Sequence, residues 1–247
     1  MWALESLDGG EREERVAATS PSDHARPALR RLHRYVAVGD SFTAGVPGDP
    51  DGAGRWPDEL ADALRGRHPD LEYVNLGVAG ATSAEVAAGQ LERAATLEPD
   101  LVTVLCGVND VLLSVRPDID GYRETFATML ARLRAAAPDA QVLTATCADF
   151  SPWLPMGPRS RRRVAEGLAA LNEVTRAVAA RHGVVCLDFA GHPGAGDREN
   201  YAADGVHPSR AGNRRAASAF AEAVAELMED ADPDHDRPPD HRSEGGP

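Results

Sequence analysis

The chain has 247 residues, 43% of them hydrophobic, which suits one well-packed domain and is short for two. Lys and Arg number 26 against 39 Asp and Glu, a formal net charge of −13 that argues against a nucleic-acid partner, since phosphate backbones attract basic surfaces. No segment approaches 18 uninterrupted apolar residues and the opening MWALESLDGGEREERV has no basic stretch leading into an apolar run, so stable membrane insertion is not expected and the cytoplasm is the default compartment.

Residues 1–33 read as a polar, irregular extension, and the domain is expected to begin at Arg34. From there short β-rich runs alternate with longer Ala-rich amphipathic stretches. YVAVG (35–39) is followed by RWPDELADALRGR (55–67), LEYVN (71–75) and TSAEVAAGQLERAATL (82–97). DLVTVLC (100–106), YRETFATMLARLRAAA (122–137), AQVLTATC (140–147) and a long helical pattern ending in Arg181 and His182 come next, then VVCLDF (184–189) and a last helix over 209–228. Strands separated by helix-length connections predict an α/β fold with a five-stranded parallel sheet covered on both faces. Thr82 and Glu85 have capping-box spacing, which starts a helix just after Gly80, and Gly183 is placed to end the long helix. Cys106, Cys147 and Cys186 are odd in number and widely spaced, so they read as buried strand residues, not as a disulfide framework or a zinc motif. From Glu229 the chain runs EDADPDHDRPPDHRSEGGP, and 229–247 is expected to be a disordered acidic tail.

Ligands of an open parallel sheet bind beyond the carboxyl ends of its strands. Four polar clusters fall there: Gly39-Asp40-Ser41, Asn75 to Gly80, Gly107 to Asp110, and Asp204 to Pro208. Ser41 follows a strand directly, in a tight turn flanked by Gly39 and Gly45, and is the candidate nucleophile. His207, three residues after Asp204, is the candidate base, with Asp204 orienting its imidazole. The backbone N–H groups of Ser41 and Gly80 and the side-chain amide of Asn109 are the candidate oxyanion donors. Taken singly, Ser41, Asn109 and Asp204 are ordinary cap or turn residues; their joint placement on one rim favours catalysis.

These blocks resemble the SGNH-hydrolase (GDSL esterase/lipase) superfamily: GDS with Ser41, NLGVAGATS with Gly80, GVND with Asn109 and DGVHPS with Asp204 and His207, together spanning residues 34 to about 228. The resemblance implies a flavodoxin-like three-layer α/β/α sandwich, no metal or organic cofactor, and hydrolysis of small-molecule esters or thioesters, including acyl groups on sugars and lipids. Phe42 stands at the variable fourth position of the first block. A thioesterase or a carbohydrate deacetylase would use the same residues. A non-catalytic small-molecule binder would be expected to break the set, and neither G-x-G-x-x-G nor G-x-x-x-x-G-K-[ST] follows the first strand, as a nucleotide-binding domain would require.

Four further features stand near the rim. Asp40 and Asp110 lack patterned His or Cys partners, so no metal role is assigned, and Asp110 is expected to bond local amides. His192 is a weak rival for the base. Trp56 either lines the cleft entrance or packs it. The segment 149–163 (DFSPWLPMGPRSRRR) is a candidate acyl-binding lid, and its arginine run is read as solvated.

Overall fold

The computed structural model describes residues 18–19, 29, 31–46 and 52–229. Strand β1 is Ala18–Thr19, β2 Arg34–Gly39, β3 Glu72–Asn75, β4 Leu101–Leu105, β5 Gln141–Ala145 and β6 Val185–Leu187. The helices are α1 Ser41–Ala44, α2 Trp56–Arg65, α3 Ser83–Gly89, α4 Leu91–Thr96, α5 Val108–Leu112, α6 Ile119–Ala136, α7 Pro158–Arg181 and α8 Arg210–Glu229. Among the described residues no helix is long and apolar enough to cross a membrane.

The five expected strands are present and parallel, in the order β6-β5-β4-β2-β3. A sixth, β1, which the polar look of residues 1–33 did not announce, adds antiparallel to the β6 edge. Packing also begins upstream of Arg34, since Leu29 and Leu32 are buried against the core. At the other end α8 runs through Glu229, one residue into the segment expected as tail, and residues 230–247 lie outside the described residues, as do most of 1–33.

Alternation along the strands divides the core into two layers. On β2, Val36 and Val38 face one side with Val102, Val104 and Val142, against α6 and α7. Tyr35 and Ala37 face the other with Leu101, Leu143 and Leu187, against α2 and α8. A strand buried on both faces reads as a continuous apolar run, which is why these segments were legible. The expected helix signals are also present: Thr82 and Glu85 form a capping box on α3, and Gly183 follows the C-cap of α7 with φ +62°. Cys186 lies in β6 as expected, whereas Cys106 and Cys147 stand just beyond β4 and β5, half-buried.

The chain leaves β2 toward β3 on one side and returns to β4 on the other, so the strand order reverses between β2 and β4. Connections diverge at that point and leave a crevice above the strand ends. Ser41 and Asn109 follow these two strands.

Candidate active site

At the end of β2 the backbone turns against β4. A Cβ on Gly39 would stand 2.1 Å from the Leu105 carbonyl oxygen, so only glycine allows this approach. Gln90, buried on the connection between α3 and α4, closes both polar groups of Gly39: its Oε1 accepts from the Gly39 N–H and its Nε2 donates to the Gly39 carbonyl, each at 2.8 Å. The next residue, Asp40, caps α1, with Oδ1 accepting from the Phe42 N–H at 2.9 Å. Ser41 is therefore the first residue of a single helical turn at the mouth of the crevice, 7% exposed.

Two more side chains hold that turn. The Trp56 indole donates to the Phe42 carbonyl at 2.7 Å, and the Asn75 amide donates to the Thr43 carbonyl at 2.8 Å. Trp56 is buried, its ring stacking on Phe220 of α8 at 4.4 Å between centroids, and it also forms part of the wall of a cavity beside α8.

His207 and Asp204 share a loop closed like a hairpin, with Tyr201 bridged to Pro208 and the Ala202 N–H donating to the His207 carbonyl at 2.8 Å. His207 Nε2 lies 2.9 Å from Ser41 Oγ, and its Nδ1 lies 2.6 Å from Asp204 Oδ2. Asp204 Oδ1 accepts from the amides of Val206 and His207 at 2.8 and 3.0 Å. Burial pushes the Asp204 carboxyl up, but the hydrogen bonds from the imidazole and the two amides outweigh it and hold the group below its ordinary value. Asp204 is thereby kept ionised beside the imidazole.

Gly80 adopts φ +80° in the exposed loop before α3, and neither its N–H nor that of Ser41 has an acceptor among the described residues. Asn109 sits in the first turn of α5, where its Nδ2 donates to the Ala81 carbonyl at 3.0 Å, beside Gly80. Asp110 accepts from the N–H and hydroxyl of Ser83 at 2.8 and 2.5 Å, so its partners are on α3 and not local to its own turn. These bonds tie the Gly80 loop to the Asn109 turn.

Asp40 does more than cap α1. It is almost wholly buried, its Oδ2 has no hydrogen-bond partner, and burial pushes its carboxyl up to about 7 against the lowering effect of the Phe42 N–H. Segment 149–163 buries Phe150 and Leu154, and the Phe150 ring stands 6.3 Å from that of Phe42, which in turn lies 6.1 Å from the His207 ring. Its arginines are partly engaged: Arg161 donates to the Leu154 carbonyl, and Arg163 to the carbonyls of Val111 and Ser114. Gln90 carried no signal of a role and Asn75 only that of its rim cluster, because each acts on a backbone group 51 or 32 residues away. His192 lies in the loop after β6, beside a cavity of about 420 Å³ that extends between that loop and α8.

The sequence model of the GDSL-like lipase/acylhydrolase family matches residues 37–215. No curated protein matches the chain. Among solved structures, TesA is 27% identical, with a TM-score of 0.63 over 79% of this chain and 99% of its own. LAE5, an alpha/beta hydrolase enzyme from the metagenome of Lake Arreo, Spain, is 25% identical, with a TM-score of 0.63 over 81% and 99%. The lipase/acylhydrolase from Enterococcus faecalis shares the fold at 22% identity, with a TM-score of 0.62 over 79% and 96%.

Proposed function

The chain belongs to the GDSL-like lipase/acylhydrolase family and is a carboxylic ester hydrolase, and from that premise we propose that it works through an acyl-enzyme on Ser41, with His207 as base and Asp204 as the group that orients it. The observation that carries this reading is the unbroken hydrogen-bonded line from Asp204 through His207 to Ser41.

In this mechanism Ser41 Oγ attacks the ester carbonyl as its proton passes to His207 Nε2. The developing oxyanion is met by the Ser41 and Gly80 N–H groups and the Asn109 amide. Asp204, ionised, stabilises the imidazolium. As the tetrahedral centre collapses, the bond to the alcohol oxygen breaks and His207 returns the proton to that oxygen. A water molecule, deprotonated by the same imidazole, then attacks the acyl-enzyme, and the acid leaves as Ser41 recovers its proton. The same groups serve a thioester or an acetylated sugar, and the substrate in each case is a small molecule.

Hydrolysis of p-nitrophenyl acetate by wild type, Ser41→Ala and His207→Ala tests the assignment. Either substitution is expected to lower kcat at least about 10³-fold with the fold intact by circular dichroism. A folded Ser41→Ala protein with wild-type turnover would overturn it.

A further inference from the structure

Among the described residues, large hydrophobic side chains stand exposed at Val78, Leu113, Val115 and Trp153. Scattered singly such residues are ordinary, but these are not scattered. All lie in connections that leave the carboxyl ends of strands, after β3, β4 and β5. Each connection is joined to a block of the site. The Val78 N–H donates to the Gly39 carbonyl and the Leu113 N–H to the Asn109 carbonyl, both at 3.0 Å. A Cβ on Gly205 would stand 2.4 Å from the Trp153 carbonyl oxygen, so Trp153 adjoins the loop of Asp204 and His207. The exposed apolar tips therefore stand around the crevice mouth, with Leu113 and Val115 the most exposed, at 71% and 84%.

The charge beside Leu113 and Val115 runs against that of the chain. Arg116 follows Val115, and Arg163 of α7 donates to the Val111 and Ser114 carbonyls, which fastens the start of α7 to this loop. That start carries Arg159, Arg161, Arg162 and Arg163, and no acidic residue in its first turn. Cations there oppose the helix dipole, so the run does not serve the stability of α7. Among the described residues none of these five arginines has a carboxylate partner, and Arg116, Arg159 and Arg162 are exposed. Two carboxylates stand close in the chain: Asp118, which caps α6, and Glu166, a turn further along α7. In a chain of net charge −13 this corner is locally basic.

Exposed apolar tips beside unpaired guanidinium groups suit a surface with anionic headgroups over hydrocarbon. A folded protein would need a continuous, shape-matched face, whereas separate tips on three loops sink into a fluid surface without one, and Trp is favoured at such an interface. We propose that the rim formed by the connections after β3, β4 and β5, with the start of α7, docks the protein reversibly on an anionic lipid surface, crevice mouth toward the lipid. The contact is superficial, through side chains on loops, and is a binding property separate from the ester chemistry of Ser41.

The test is co-sedimentation of the full chain with vesicles of phosphatidylcholine alone or mixed equally with phosphatidylglycerol. Wild type is expected to partition at least about tenfold more strongly onto the mixed vesicles. Leu113→Asp with Val115→Asp, and separately Arg116→Glu with Arg159→Glu and Arg162→Glu, are each expected to lower that partition about tenfold, with unchanged circular dichroism. Arg93→Glu with Arg132→Glu, exposed on α4 and late in α6, is expected to leave it within about twofold, because those positions lie away from the rim. No partition of wild type onto mixed vesicles, or equal partition onto both kinds, overturns the proposal. So does rim-variant binding equal to that of wild type. Binding that survives the aspartates and is displaced by soluble polyglutamate would assign the basic corner to an acidic protein and overturn the lipid surface.

Discussion

In the proposed mechanism Ser41 is an ordinary hydroxyl until His207 is aimed at it, and the aim is set by Asp204 through one side-chain and two main-chain hydrogen bonds. Asp204→Asn keeps the shape but can leave the imidazole in the wrong tautomer, so kcat is expected to fall by about 10³ to 10⁴ with KM little changed in steady-state assays. Gly80 has open space where a Cβ would stand, so the strain in Gly80→Ala comes from its φ of +80° alone. The alanine is expected to turn the N–H away and lower kcat by roughly 10- to 100-fold. Asp40 makes a prediction of opposite pH sense to a paired carboxylate. Its value rises from 3.8 to about 7 on folding, so the native state holds the proton more tightly than the unfolded chain. Its contribution to stability is full below about pH 4 and is lost as pH rises through about 7. Urea denaturation at about pH 5 and pH 8 should show wild type losing a few kcal/mol more than Asp40→Asn over that interval. Equal losses in the two proteins would place the pH dependence elsewhere.

Helix α1 has four residues, too few to persist by its own hydrogen bonds. It is held by side chains from other elements: Asp40 at its N-cap, Trp56 of α2 on Phe42, Asn75 of β3 on Thr43, with Gln90 fixing Gly39 just before it. Asn75→Ala is expected to lower kcat about tenfold, as a small displacement of Ser41 weakens both its attack and its hydrogen bond to His207, and KM for a short ester should move less. The stack of Trp56 on Phe220 joins α2 to α8 under the same turn. Phe220→Ala removes a fully buried ring and is expected to cost about 3–5 kcal/mol in urea denaturation. None of these ties was legible in the sequence. Strands and helices announce themselves by periodicity over neighbouring residues, and Gly39, Asp40 and Ser41 stand together in one block. Asn75 and Gln90 act across 32 and 51 residues, and nothing near them in the chain points to the backbone groups they satisfy.

At the scale of the whole molecule, what was legible followed from one rule, that chemistry collects at the carboxyl ends of parallel strands. Ser41, Asn109 and the loop with Asp204 and His207 were placed on that rim by the strand pattern, and the family match over residues 37–215 agrees with the resemblance of their blocks. The edge of the sheet was not legible: β1 has two residues, too few for an alternating pattern, and Leu29 and Leu32 are isolated apolar residues in a polar stretch. The cavity was not legible either, because separate segments from Asp40 to Glu222 line it and none carries a pattern of its own. The claim on which the whole account turns is that Ser41 is the nucleophile. The measurement that tests it most directly is intact-mass spectrometry with peptide mapping after treatment of the folded protein with a fluorophosphonate. The account predicts a single adduct on Ser41, absent from Ser41→Ala and formed far more slowly in His207→Ala. An adduct on another residue, or ester turnover that survives in a folded Ser41→Ala protein, would contradict it.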